Sequence, residues 1–538
     1  MTKPAKRSAE GRKRRKPRRP VGEGPVGAPD AVPVELTLRW GDEPVTGDDP
    51  LAVRARAACA NAVDRLLAEL GIPGRTTASV TLAGPSAPEP YVLRVNGRRS
   101  WLARGDLDAI VTDLARPGTA LETLPETAVA DLAAAVCVAA LHRRLSVLLR
   151  EDHVARILTA DGMRVCGMPL SGLASALAIL VDNGVSLAPI DKIEDVLRSA
   201  GGTKSTTQLA ELVIDKLQPL SVNLLFASNT MRRVTTANPD RQDLFTEMRI
   251  RIFDNIGMSF PDFHFVIDDE IPDGCFAFRV NAVATWPRHL KEGEGLGEVA
   301  AALELVLRRN AAWFNSLSNL DELLGQLRAL PDTVKAVKTR FPKTWLSAVA
   351  RAALDENLPE REISTLLDWI IDLDPQPLLP GEIRLVDGPA PIGFADGNEF
   401  PLPRDAVALI RQRWREELVW TLPSDLPQHA RYLPADLEHA AEDGSLGPDD
   451  SGLEQLALAV RTMLDADQTT PIVVPTLALR SRLRDALAPE FPDLQVFAEQ
   501  EFPPYVRLLA SPPHVDARPE TQISGRCGRP GVKSPGSQ

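Results

Sequence analysis

The sequence predicts a multidomain protein of mixed α+β and α/β class: tandem lobes of small mixed β-sheets with helices, helical subdomains, and a C-terminal α/β unit of βαβ form. Three observations predict it. The 538 residues exceed what one hydrophobic core serves, because domains hold roughly 100–200 residues. One order of elements occurs twice along the chain. Near the end, an apolar run at 472–474, a helical pattern at 477–488 and a second apolar run at 494–497 make strand, helix and strand.

The elements justify themselves in order. Val32, Val34, Leu36, Leu38 and Trp40 alternate at period two, the mark of a half-buried strand over 31–41. Over 53–70, Ala57, Ala60, Val63, Leu67 and Leu70 recur at three- and four-residue steps, and the pattern stops at Gly71 with Pro73 beyond, so a helix ends there. Short strand-like runs at 79–82 and 91–95 flank a Pro-rich turn. Helical patterns then follow at 126–149, 152–160, 170–183, 190–200 and 207–217, and residues 223–226 (NLLF) read as a strand.

After a polar break at 235–240 (TTANPD) the order begins again. Residues 63–101 and 250–286 both run helix, glycine, strand, proline turn, strand. Gly71 and Gly257 stand where a helix end wants positive φ, and Arg94-Val95-Asn96 and Arg279-Val280-Asn281 each end a strand. Residues 172–197 and 345–370 repeat a helix, a turn and a second amphipathic helix. The expected units are a disordered basic tail (1–30), a first α+β lobe (31–120), its helical subdomain (121–234), a second lobe (235–290), its helical subdomain (291–375), a Pro/Gly-rich linker (376–403), a C-terminal α/β domain (404–510) and a disordered tail (511–538).

Composition bounds the function. Hydrophobic residues at 44% and charged residues at 25% are ordinary globular values. The first twenty residues hold ten Lys or Arg against one acid, Glu10, so the rest of the chain is more acidic than the overall net charge of −12. An acidic body does not hold nucleic acid; only the basic tail could meet a polyanion or an anionic membrane face. No apolar stretch is long enough to span a bilayer, and residues 21–30 (VGEGPVGAPD) after the basic start are not the apolar run a secretory signal needs, so a soluble cytoplasmic protein is expected, at most peripheral to the membrane. Five scattered cysteines without a CxxC pair fit a reducing compartment.

Chemistry finds little support in the residues. Seven histidines form neither HxxxH nor HxH, so no metal is expected. Residues 201–206 (GGTKST) superficially suggest a phosphate loop, but Thr203 stands where a glycine must precede the lysine. No GxSxG elbow appears, and acid pairs such as Asp268-Asp269 sit in polar turns. The chain reads as non-enzymatic and without a cofactor.

One resemblance covers residues 242–508. Asn255-Ile256-Gly257-Met258-Ser259-Phe260-Pro261-Asp262-Phe263-His264-Phe265, then Ile271-Pro272, then Phe278-Arg279-Val280-Asn281, resembles the opening of the cytosolic region of the FHIPEP family, the flagellar and virulence export-gate proteins. Leu307-Arg308-Arg309-Asn310, the 357–367 segment (NLPEREISTLL) and the closing Pro471-Ile472-Val473-Val474, Phe491-Pro492-Asp493-Leu494 and Glu501-Phe502-Pro503-Pro504 continue it in order. The first half resembles a degenerate copy of the same plan.

The resemblance implies a type III secretion scaffold that binds secretion chaperone or cargo proteins, or itself, without catalysis. It names Phe260, Pro261, Phe263, Phe265 and Trp286 as protein-binding candidates, aromatic anchors at an interface, and Arg361 as a partner for an acid of a neighbouring subunit. Each has a plainer reading, as core filler or as a solvated arginine. Two features depart from the family: its membrane-spanning helices have no counterpart in this sequence, and between Val283 and Leu296 a short bridge replaces a β-containing lobe that helps bind chaperone and cargo. The alternative reading is a basic-tailed tether to nucleic acid or a membrane surface, without a secretion role.

Overall fold

The computed structural model describes residues 31–356, 403–413, 431–432 and 471–502, apart from short stretches within them, together with positions 358, 370, 415 and 460. The tails, the linker, residues 201–204, Gly257 and Arg361 lie outside the described residues.

The first lobe comprises β1 (Ala31–Arg39), α1 (Pro50–Leu70), β2 (Arg75–Ala83), β3 (Tyr91–Val95) and β4 (Arg98–Ser100). Its order is β2-β1-β3-β4, with β1 parallel to β2 and antiparallel to β3. The alternation of β1 sends Val32, Val34, Leu36 and Leu38 inward, each at most 1% exposed. Asp49 caps α1 by accepting the Leu51 N–H at 2.8 Å, and Gly71 closes it at φ 66°. Helices α2 (Asp106–Leu114), α3 (Glu126–Leu141), α4 (Glu151–Ile157), α5 (Leu170–Asp182), α6 (Ile190–Ala200) and α7 (Thr206–Leu217) follow. The helix expected over 126–149 stops at Leu141 and becomes a 3-10 turn, Leu145–Leu148, where the Ser146 N–H goes to Asp182 at 2.7 Å. A tertiary partner takes a backbone donor that a longer helix would have kept.

The second lobe comprises β5 (Val222–Phe226), α8 (Ser228–Ala237), α9 (Arg241–Ile256), β6 (Phe263–Ile267), β7 (Cys275–Val280), β8 (Val283–Ala284) and β9 (Arg288–His289). Its order, β6-β5-β7-β8, repeats the first sheet: β5 is parallel to β6 and antiparallel to β7. Val34 pairs with Val95 and Ala78 as Val222 pairs with Val280 and Phe263, so β1 corresponds to β5 and β2 to β6. Asn96 and Asn281 are the non-glycine residues at positive φ among the described residues, 52° and 53°. Their N–H groups reach Pro33 and Ser221 carbonyls, both at 2.9 Å. Asparagine tolerates that backbone region, which is why Arg-Val-Asn marks the same tight turn twice. The pairing also corrects one boundary: the 223–226 strand, expected with the first copy's helices, is the central strand of the second lobe.

Then come α10 (Leu296–Arg309), a 3-10 turn Ala311–Phe314, α11 (Leu317–Gln326), α12 (Pro331–Arg340), α13 (Lys343–Asp355) and α14 (Pro403–Arg413). The C-terminal unit is a parallel sheet, β10 (Arg431–Tyr432), β11 (Ile472–Val474) and β12 (Val496–Ala498), with α15 (Leu477–Leu487) crossing between the last two, the βαβ form expected.

One apolar core runs through both lobes and the first helical subdomain, taking in Leu36, Val63, Leu132, Leu180, Phe226 and Leu303. A second gathers Phe341, Trp345, Val349 and Ile410. A third joins Trp101 of the first lobe to Ile472, Leu483 and Phe491 of the C-terminal unit.

The copies are joined to each other and to that unit by buried arginines. Arg351 on α13 pairs with Glu211 on α7 at 3.0 Å and donates to Asn183 Oδ1 at 2.9 Å and to the carbonyls of Ala312 and Asn315. Arg480 on α15 pairs with Glu356 at 2.7 Å, and Arg411 on α14 pairs with Glu501 at 2.8 Å. Asn183 closes α5 and Glu356 closes α13, the corresponding helices of the two copies, so the same place receives an arginine from the unit downstream. Burial alone would raise the Glu356 carboxyl, but the guanidinium charges of Arg480 and Arg411 outweigh it and hold the group below the usual carboxylate range.

Gly184 sits at φ +69°, and a Cβ there would meet the Trp313 ring at 2.7 Å. Gly184→Ala is expected to cost roughly 2–4 kcal/mol in urea unfolding, left-handed strain plus overpacking. Gly97→Ala, at φ +75° with open space around it, should lose only the conformational part, about 1 kcal/mol.

Candidate functional site

The large apolar side chains left exposed among the described residues are concentrated on one lobe. Ile250 and Phe253 on α9 and Val266 and Ile267 on β6 are 36–56% exposed, and the other two, Val53 on α1 and Leu305 on α10, lie outside that lobe. Val266 and Ile267 stand on the edge of the second sheet, because β6 has β5 on one side and no further strand on the other among the described residues.

Local sequence explains the arrangement. On α9, Phe245, Met248 and Ile252 recur at helical spacing and are buried, so that stripe faces the sheet. Ile250 and Phe253 fall outside the stripe, next to Arg249. Arg249 reaches Asp262 at 2.7 Å and the Phe260 carbonyl at 2.9 Å, and lies 5.7 Å above the Phe263 ring. Phe263 and Phe265 alternate onto the same face of β6 and meet Phe245 edge-on, at centroid distances of 6.0 and 5.4 Å. Acids bracket the strand: Asp262 before it, Asp268, Asp269 and Glu270 after it.

The sequence-predicted residues divide. Phe263 and Phe265 stand half-buried at this edge, beside the partly buried Pro261. Phe260 is 4% exposed and packs edge-on against Phe314 at 4.8 Å, so its ring serves the core. Trp286 is partly buried against the main core, away from the strand pairings that form the edge. Arg361 lies outside the described residues. Ile250, Phe253, Val266 and Ile267 were missed, because an exposed isoleucine reads as a buried one. The duplication gives no signal that could have found them: counted back from Gly71 and Gly257, Phe253 corresponds to Leu67, which is 1% exposed, whereas Phe253 is 45% exposed.

Among the described residues no set of three or more His, Cys, Asp or Glu is placed to hold a metal ion, and no helix is long and apolar enough to cross a membrane. Cys59 and Cys137 meet at 2.9 Å between Sγ atoms inside the first lobe, where their mutual hydrogen bond and burial push the Cys137 thiol well up. His142, between the copies, donates from Nε2 to the Ala284 carbonyl at 2.7 Å and stacks 6.3 Å from Trp313. Burial lowers its pKa to about 4, against the hydrogen bond, which favours the charged ring. On the other side of the same turn, Glu69 accepts the Ala284 N–H at 3.2 Å.

No family model matches the chain, and no curated protein matches it. Solved structures do. The MxiA protein of Shigella flexneri is similar at 16% identity over 53% of this chain and 96% of that one, with a TM-score of 0.42. CdsV of Chlamydia pneumoniae, solved in complex with CdsO, is similar at 14% identity over 54% of this chain and 98% of that one, with a TM-score of 0.43. The nonameric SctV-C of EPEC is similar at 13% identity over 53% and 95%, with a TM-score of 0.42.

The His142 geometry predicts a pH effect. An unfolded imidazole takes its proton near pH 6.5 and the folded one only near 4, so between these values the unfolded chain binds more protons and stability falls as pH falls. Comparing unfolding free energies of wild type and His142→Gln from pH 7 to 4 should show wild type losing up to about 3 kcal/mol more. Parallel curves would contradict the assignment.

Proposed function

We propose that this chain is a soluble, non-enzymatic relative of the export-gate cytosolic region, acting as a protein-binding scaffold in protein secretion. The observation that carries the reading is the concentration of exposed apolar side chains around the β6 edge, on the lobe whose sequence resembles the family most closely. Residues 242–508 keep the order of motifs that resembles the family.

In this reading the partners are secretion chaperone or cargo proteins, with self-association as a second mode, and the site of action is cytoplasmic. Among the similar structures, one is a complex of CdsV with CdsO and another is a nonameric SctV-C. The short bridge at 284–295 leaves a smaller surface than the family uses, so partner contact would fall on the lobe itself.

Affinity purification of the tagged chain from its native cells, with quantitative mass spectrometry, tests the reading. Secretion-apparatus components or chaperone–cargo complexes are expected to be enriched about fivefold or more over a tag-only control, beyond the scatter of non-specific recovery. Recovery of those proteins at control level would overturn it.

A further inference from the structure

The two lobes share one topology, so the first shows what completes the second. In the first lobe the free edge of β2 is closed at Leu82 by Val45, in an antiparallel bridge: the Val45 N–H reaches the Leu82 carbonyl at 2.7 Å, and the Leu82 N–H reaches the Val45 carbonyl at 3.0 Å. Leu82 is 0% exposed as a result. The register makes Ile267 its counterpart, since Leu38 pairs with Leu82 as Phe226 pairs with Ile267. Ile267 is 56% exposed, and no residue takes the part of Val45 among the described residues.

The backbone direction agrees. The Asp268 N–H turns inward to the Phe226 carbonyl at 3.0 Å, so alternation along the strand turns the backbone groups of Phe263, Phe265 and Ile267 outward. The rest of β2 carries Thr76, Thr77, Ser79 and Thr81, whereas β6 reads Phe-His-Phe-Val-Ile. An open, aromatic and β-branched edge is what proteins ordinarily blunt, and what strand addition uses.

We propose that β6 receives an extended segment of a partner protein, added antiparallel to the sheet, with alternating apolar and basic residues. Its apolar residues would take the place of Val45 against Ile267 and Phe265 and lie beside Ile250 and Phe253. Its basic residues would meet the exposed Asp262, Asp269 and Glu270, whereas Asp268 is already paired with Arg279 at 3.7 Å. The acids argue against a second copy of this chain at the edge, because antiparallel pairing of two β6 strands sets Asp262 of each copy near Asp268 and Asp269 of the other. The basic N-terminal segment of this chain lacks the alternating apolar residues the edge calls for. The inference rests on the scaffold reading and names the chemistry of its partner.

Fluorescence anisotropy with the full chain tests it, using a labelled synthetic peptide of alternating valine and lysine and a second of alternating valine and glutamate. The lysine peptide should bind saturably, the glutamate peptide about tenfold or more weaker. Ile267→Pro, which removes an outward N–H, should weaken the lysine peptide by about tenfold with circular dichroism unchanged. Should that variant misfold, Ile267→Lys, at a side chain 56% exposed, serves instead, with the same expected loss. Equal binding of both peptides, or undiminished binding by a folded Ile267 variant, overturns the proposal. So does a dimer in sedimentation that Ile267→Lys dissociates. Loss of peptide binding with secretion proteins still enriched from cells would fail this inference alone; the reverse pattern would fail the scaffold reading alone.

Discussion

The ion pair between Arg351 and Glu211 is the constraint on which the arrangement of the two copies depends. Arg351 is 6% exposed and Glu211 1%; Glu211 is held by Arg351 and Ser347 of the other copy, while Arg351 divides its donors between Glu211 and Asn183 of the first copy and the Ala312 and Asn315 carbonyls of its own. A guanidinium removed from water is tolerable only when its donors are matched, and here a carboxylate, the Asn183 amide oxygen and two main-chain carbonyls match them. Ser347 adds a 2.8 Å bond to the same carboxylate, and Asn315 ties back to the Ser347 carbonyl at 2.8 Å. Apolar packing alone would let α13 slide on α7 at small loss; this network has one register. The Arg480–Glu356–Arg411–Glu501 cluster repeats the device at the next junction, so the chain is assembled by one rule used twice.

Around these junctions smaller contacts keep the same pairing. Asp106 in the first copy receives Arg143 from its own copy at 3.6 Å and Arg309 from the other at 2.9 Å. His142 and Glu69 hold the two sides of Ala284. The copies therefore face each other with distinct roles. The first copy's α1 is covered, with Leu187 bonded to Leu70 and Ser186 to Glu69, while α9 keeps Ile250 and Phe253 open. A duplicated fold whose members have diverged in this direction has one copy serving as support and one presenting a surface.

Much of the fold was legible because its signals are local. Gly71 after a helical stripe, the period-two run from Val32 to Trp40 and the twin Arg-Val-Asn turns each state a backbone conformation within a few residues. The role of β5 was not, since four residues cannot say which sheet they join until partners at 263–267 and 275–280 are in place. The buried arginines left no mark either: Arg351 and Glu211 stand 140 positions apart, and each by itself reads as an ordinary charged helix residue. At the surface, Phe263 and Phe265 were legible as exposed aromatics only in part, and Phe260, from the same short run, went to the core, where it meets Phe314 edge-on.

The most direct measurement is a double-mutant cycle in urea unfolding on Arg351→Met and Glu211→Met. Each single substitution strands a buried partner and should lose about 3 kcal/mol or more, while the double variant should lose little beyond one of them, a coupling of about 2 kcal/mol or greater. Additive losses would contradict the account, because the two side chains would then be stabilising their own copies separately and the junction would be held by something else.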